Sequence, residues 1–261
     1  MSKIFSWFVK ITGYPLEFFF YRKKIYYEDK KHTNRNIKGA AMIISNHTDI
    51  YDYPLMMYVF PKRNLHCLVA EVTYDKNKPL TNLLKGLGAI RVDRNNHDFS
   101  FMGQTSELLR KNKVVLIYPE SRLPLENEVG TLLEFKPSYI YSALETGAPI
   151  IPIYTNGIYG KLKKKYKDRA RVIIGKKIYV QDLYDSNKSE KENIEYINGY
   201  VKNRIIKLKE LLKKAKKWWL VPSFIDTKLV NGSVSVRLDV LRNYLQLWRM
   251  LSLSLQFLRP N

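Results

Sequence analysis

The chain has 261 residues, 45% of them hydrophobic and 26% charged, a balance that supports a packed core and argues against disorder. Lysine and arginine number 45 against 24 acidic residues, a net charge of +21. That excess favours anionic partners: phosphorylated substrates, anionic lipid, an acidic carrier protein or nucleic acid. One cysteine, Cys67, excludes an internal disulfide and a cysteine metal cluster.

The chain opens apolar and aromatic, with Ile4, Phe5, Trp7, Phe8, Val9 and Ile11, then Leu16, Phe18, Phe19, Phe20 and Tyr21. Lys10 and Glu17 interrupt this run and no small-residue cleavage site follows. Neither a signal peptide nor a spanning helix of ~20 apolar residues fits. Gly13-Tyr14-Pro15 predicts a break between two short helices. Residues 1–36 are expected to form an amphipathic helical segment on a membrane surface. Its aromatics would sit at headgroup level, with Lys3, Lys10, Arg22, Lys23 and Lys24 near lipid phosphates. The alternative is an arm packed on the protein's own core.

From residue 37 short apolar runs alternate with helical patterns. Strands are predicted at 40–44, 65–70, 89–93, 114–118, 150–154 and 172–174, and helices at 53–59, 82–87, 99–111 and 138–146, the last closed by Gly147. Such alternation predicts an α/β fold, a mostly parallel sheet flanked by helices. In such sheets chemistry gathers at the carboxyl ends of the strands.

The first of these strands runs into Asn46-His47-Thr48-Asp49-Ile50-Tyr51-Asp52. Five residues separate His47 from Asp52. On one helix that puts them about 140° apart, and on one strand it puts them on opposite faces. They meet only if the backbone turns, and Ser45, Asn46, Thr48 and Asp49 are turn and cap formers. The expectation is a tight turn carrying His47, then a helix starting near Tyr51 that carries Asp52. There the carboxylate would hold the imidazole in one tautomer and support the charge it gains with a proton. The same spacing also arises in plain capped turns. Cys67, beside His66 in a predicted strand, reads as core.

Gly88-Ala89-Ile90-Arg91-Val92-Asp93-Arg94 delivers Asp93 and Arg94 to a loop, either as a phosphate-binding group or as a surface ion pair. Tyr118-Pro119-Glu120-Ser121-Arg122 follows the strand at 114–118, which Pro119 ends. There Glu120 can accept from a substrate hydroxyl and Arg122 can donate to phosphate, or the two can pair to fix the loop. His47 and Glu120 each follow a strand, so one rim can hold both.

In their order these blocks resemble the glycerolipid acyltransferase family, which includes the bacterial 1-acyl-glycerol-3-phosphate acyltransferases. That family is marked by an N-H-x-x-x-x-D block, a G-x-x-x-x-D-R-like block, an F-P-E-G-T-R-like block and an apolar block ending near a proline. Here they stand at residues 46–52, 88–94, 118–122 and 148–153, and the resemblance spans roughly residues 37–180. It implies that His47 and Asp52 are catalytic and that Arg94, Glu120, Ser121 and Arg122 hold a phosphorylated acceptor. The reaction implied is direct acyl transfer from a thioester, carried by coenzyme A or acyl carrier protein, to a lysophospholipid hydroxyl. The first acceptor to consider is 1-acyl-glycerol-3-phosphate, giving phosphatidic acid; glycerol 3-phosphate or a lyso-aminolipid is the alternative. No metal or cofactor is expected. The expected partners are an anionic membrane surface and an acyl carrier protein, and the expected place is the cytoplasmic side of the membrane, peripheral or monotopic. Nucleic acid is not expected, since no binding motif accompanies the charge. Several residues depart from the family pattern: Ser121 and Ser138 where glycine is usual, Arg122 two rather than three after the glutamate, and Arg91 in place of an apolar residue. These bear on the acceptor more than on the reaction.

A lysine-rich helical pattern at residues 189–215 puts Ile194, Ile197, Val201, Ile205, Leu208 and Leu212 on one face, as a packed amphipathic helix would. It closes an expected acyltransferase domain at 37–217. Residues 218–261 form a separate C-terminal segment with a second apolar stripe, including Leu241, Tyr244, Trp248 and Leu255, whose role the pattern does not reveal.

Overall fold

A computed structural model of the protein describes residues 3–93, 99–160 and 168–218. Among them a sheet forms in the order β1-β7-β6-β2-β5-β3-β4. Its strands are β1 (Lys24–Tyr27), β2 (Ala41–Ser45), β3 (Leu65–Ala70), β4 (Ile90–Val92), β5 (Val114–Ile117), β6 (Ile150–Asn156) and β7 (Arg171–Ile174). All neighbours pair in parallel except β6 with β7. The central strands β2 and β5 are buried throughout. Such continuous apolar runs belong to a parallel sheet covered on both faces.

The helices are α1 (Lys3–Tyr21), α2 (Asp52–Val59), α3 (Glu71–Tyr74), α4 (Lys78–Leu87), α5 (Ser100–Arg110), α6 (Ser138–Thr146) and α7 (Glu190–Trp218). One core layer joins Ile43, Leu116, Ile153 and Val172 of the sheet to Leu55, Met56 and Phe60 from α2 and its end. The other joins Met42, Val115 and Ile150 to Leu109, Ile140, Ile197, Val201 and Ile205 from α5, α6 and α7. Alternate residues of one strand thus feed opposite layers, as a strand's two-residue period requires. Gly147 closes α6 in the left-handed conformation, at φ 67°.

Three expectations change at the N-terminal end. Residues 3–21 form one helix rather than two, with Pro15 inside it. Proline removes one intrahelical bond, and tertiary packing holds the helix on either side of that loss. Gly13 lies so close to α2 that a Cβ there would stand 2.2 Å from the Tyr58 hydroxyl oxygen. Gly86 of α4 gives Phe5 similar room.

Lys10 and Lys23 also do not face outward. Lys10 is buried and donates to the carbonyls of Pro61 (3.0 Å) and Arg63 (2.7 Å). Lys23 pairs with the buried carboxylate of Glu17. Finally, β1 pairs with β7, so the expected boundary at residue 36 falls after a strand of the sheet. The chain divides into units of residues 1–218 and 219–261. The expected C-terminal stripe lies outside the described residues.

The outer face of α1 is apolar. Ile4, Trp7, Phe8, Phe18 and Phe19 are each more than half exposed, Phe19 to 75% and Ile4 to 80%. Single exposed apolar residues are ordinary, whereas a row of them along one helix is the kind of patch that interaction surfaces use. No described helix is long and apolar enough to cross a membrane.

Candidate active site

Strands β2 and β5 lie side by side and in parallel, so the segments leaving their carboxyl ends share one rim of the sheet. Beyond β2, Asn46 continues the pairing with β6 through its side chain. Its amide oxygen accepts from the Thr155 N–H at 2.7 Å, and its Nδ2 donates to the Thr155 carbonyl at 3.0 Å. A side-chain amide has the donor and acceptor of a peptide group, and Asn46, 4% exposed, uses both. That anchors the residue directly before His47.

The chain then turns, and α2 begins at Asp52. Asp52 is fully buried, and its carboxylate is the hub of the turn. Its Oδ2 lies 2.8 Å from His47 Nδ1 and accepts the backbone N–H groups of Thr48 and of Asp49, the latter at 2.9 Å. Its Oδ1 accepts from the Thr48 hydroxyl at 2.8 Å. Four donors compensate the loss of water around the buried carboxylate, and its place in the first turn of α2 suits the positive end of the helix dipole. With Nδ1 occupied, Nε2 of His47 is the nitrogen left to meet a substrate. The imidazole is partly open, at 21% of its side-chain surface.

One face of the His47 ring is covered by Tyr118, the first residue after β5. The centroids are 4.5 Å apart and the planes 16° from parallel. The Tyr118 hydroxyl is buried without a hydrogen-bonding partner among the described residues, and burial pushes its pKa well up.

Glu120 reaches the same turn. One carboxylate oxygen accepts the His47 N–H at 3.1 Å, and the other accepts the Leu133 N–H, also at 3.1 Å. Glu120 is 4% exposed, and burial raises its pKa despite those two N–H groups. Each oxygen of Glu120 thus accepts one backbone N–H. Its oxygens tie the His47 turn to the loop after β5.

Ser121 follows with φ 59°. Glycine enters the left-handed region freely and serine only at a cost. Arg122 does not pair with Glu120. It is half exposed, and its fork holds Glu128, with both nitrogens at 2.7 Å from the two carboxylate oxygens. That contact holds the Glu128 carboxyl down at about 2. Arg91 is held between Asp75 (2.7 Å) and Asp93 (3.2 Å). The predicted Arg94 lies outside the described residues.

Beside the dyad lies a cavity of about 290 Å³, lined by Thr48, Asp49, Ile50, Tyr51, Leu123, Pro124, Tyr159 and Gly160. Its walls are mostly apolar. The end of α1 reaches this wall: Tyr21 donates to the Tyr51 carbonyl at 2.9 Å, and Phe20 meets the Tyr51 ring edge-on at 5.5 Å.

The sequence reading brought together His47, Asp52 and Glu120. It missed Asn46 as an anchor, Tyr118 as a stacking partner and Glu128 as the partner of Arg122. A polar residue at a strand end and an aromatic just past the neighbouring strand were visible signals for the first two. Nothing in the sequence singled out Glu128 among the acids of its loop.

A model of the Acyltransferase family matches residues 24–156. The 1-acyl-sn-glycerol-3-phosphate acyltransferase beta of Homo sapiens is 27% identical over 181 residues, covering 69% of this chain and 60% of that protein. The 1-acyl-sn-glycerol-3-phosphate acyltransferase of Haemophilus influenzae is 24% identical over 195 residues, covering 72% of this chain and 75% of its own. This chain therefore spans less than two thirds of the human relative's length. In fold it is similar to the crystal structure of the 1-acyl-sn-glycerophosphate acyltransferase PlsC from Thermotoga maritima, with a TM-score of 0.58 at 17% identity over 82% of this chain and 80% of that one.

Proposed function

The chain belongs to the Acyltransferase family, and from that premise we propose that it transfers a fatty acyl group from an acyl thioester to the free hydroxyl of a lysophospholipid. The proposed acceptor is 1-acyl-glycerol-3-phosphate and the product phosphatidic acid, as the names of the relatives suggest. The observation that carries this reading is the 2.8 Å contact between His47 Nδ1 and the buried Asp52.

His47 Nε2 takes the proton of the acceptor hydroxyl as its oxygen attacks the thioester carbonyl. Asp52 fixes the tautomer that leaves Nε2 basic and stabilises the imidazolium that forms. The thiol leaves with a proton returned by His47. No protein nucleophile takes part. Cys67 is 2% exposed in β3, and burial pushes its thiol far from ionisation. The apolar cavity beside Tyr51 suits the acyl chain. Arg122 suits the acceptor's phosphate, exchanging Glu128 for it.

The outer face of α1 would lie among lipid headgroups, placing the cavity wall at Tyr51 near the membrane that supplies the acceptor. Attachment is peripheral or monotopic, on the cytoplasmic side, with coenzyme A or acyl carrier protein bearing the acyl group.

Purified protein incubated with labelled acyl thioester and a panel of lysophospholipids and glycerol 3-phosphate tests the reaction, with His47→Ala as control. Product from 1-acyl-glycerol-3-phosphate, lost in the control, is expected; equal product in the control overturns the reading. Flotation with anionic vesicles tests the surface. Phe18→Asp with Phe19→Asp is expected to leave the protein at the bottom of the gradient, and undiminished flotation removes α1 from that role.

A further inference from the structure

We propose that Tyr118 is a positioning residue for the transfer step: its ring face, not its hydroxyl, sets the orientation of His47 and faces the imidazolium as it forms. This rests on the role given to His47 above. A single hydrogen bond at Nδ1 fixes one edge of an imidazole but leaves the ring able to swing about that contact. A parallel ring at 4.5 Å removes this freedom, because swinging would break the stack. Asp52 and Tyr118 therefore constrain two different motions, one in the ring plane and one out of it. Productive geometry in transfer reactions is sensitive to this kind of misplacement.

The same contact has an electronic side. When His47 takes the acceptor's proton it becomes a cation lying over an aromatic face, an attractive arrangement strengthened where water is excluded. Tyr118 itself packs against the core layer that includes Leu116 and Leu55. It follows β5 immediately, and the next residues, Pro119 and Glu120, lead into the loop that also holds the His47 N–H. One segment thus fixes both the backbone and the ring of His47.

The hydroxyl adds nothing to this arrangement. It points into a buried region near Asp52, Cys67, Tyr21 and Tyr53 and makes no hydrogen bond there among the described residues. A buried polar atom left unpaired destabilises a fold, so removing this oxygen is expected to keep activity and to leave the melting temperature equal or higher.

The test uses the full-length protein with acyl-coenzyme A and 1-acyl-glycerol-3-phosphate. Tyr118→Leu is expected to lower kcat by about 10- to 100-fold with little change in either KM, while Tyr118→Phe stays within about twofold of wild type, since the stacking face is kept. Tyr118→Met fills similar volume without an aromatic face and is measured beside Tyr118→Leu, so that a variant with a wild-type melting temperature is at hand. A readout independent of turnover is the ring-current shift of the His47 imidazole protons in NMR spectra, assigned with His47→Ala. The shift should persist in Tyr118→Phe and vanish in the aliphatic variants. Wild-type turnover in a folded aliphatic variant overturns the proposal, as does a Tyr118→Phe loss equal to that of Tyr118→Leu. An absent ring-current shift does the same. Inactive wild-type protein with that shift intact would instead sink the reaction proposed above and leave the stack standing.

Discussion

The turn that carries His47 and the loop that carries Arg122 lie on one rim of the sheet yet are built in opposite ways. Asn46 and Asp52 of the turn, and Glu120 that reaches it from the base of the loop, are each less than 5% exposed, and their polar side chains are engaged by neighbouring donors and acceptors. In the loop, Arg122 and Glu128 form a pair open to solvent, on a backbone that includes a serine in the left-handed region. On the proposed function, the difference teaches that the chemical step would be held by structure formed before substrate arrives, whereas recognition of the acceptor's phosphate would involve exchange of partners. Proton transfer needs fixed atoms; an exposed ion pair is cheap to replace.

Substitutions can break that contrast, and the largest effect belongs to the turn. Asp52→Ala should lower kcat by about 10²–10⁴-fold, comparable to loss of the base itself. It should also destabilise the fold by about 1–3 kcal/mol for each buried donor left unpaired, which kinetics and thermal unfolding read separately. A variant with intact turnover would mean that the turn is not the reacting centre.

Next comes Glu120, which joins the two regions. Because burial raises its pKa, the native state keeps the proton better than the unfolded chain does. Between the ordinary glutamate value of 4.5 and the higher native value, stability therefore falls as pH rises. Glu120→Gln should remove that slope from melting temperatures measured across the acid range, and should lower kcat by loosening the backbone of His47. An unchanged slope would place the titration elsewhere.

In the loop, Arg122→Ala should raise the acceptor KM by about tenfold, the scale of one charge-assisted contact, with little change in melting temperature. Glu128→Gln should lower the same KM by a few-fold, because the phosphate no longer competes with a carboxylate. A rise in KM would mean that Glu128 presents Arg122 rather than occupying it. The smallest effect is expected at Ser121. Relief of a left-handed serine, about 1–2 kcal/mol, is partly offset by the greater freedom of glycine in the unfolded chain, about 0.4–1 kcal/mol. Ser121→Gly should therefore be slightly stabilising in a denaturant titration.

The sequence revealed local geometry better than long-range pairing. The His47–Asp52 contact followed from turn formers between two residues whose spacing forbids a helix or a strand. The inner face of α7 followed from its periodicity, since Ile194, Ile197, Val201, Ile205, Leu208 and Leu212 are all buried. The N-terminal helix misled for a physical reason. Its outer face is apolar, while its inner face buries Ser6, Lys10, Glu17 and Tyr21. Apolar residues therefore lie on both faces, since Phe5, Val9 and Phe20 pack on the core, and Pro15 suggests a break that contacts with α2 and α4 override. β1 escaped notice because four half-buried residues give little pattern, and its partner β7 lies far along the chain. Arg122 reads as a candidate phosphate ligand from its type and place alone, but its link to Glu128 depends on how the loop closes.

The buried thiol of Cys67 makes this chain a convenient subject for site-directed labelling. At neutral pH a maleimide should pass over the native protein, so a cysteine introduced at Phe19 or at Leu125 would be the one reactive handle. An environment-sensitive dye at each position would then report whether that edge of the protein meets lipid or stays in water.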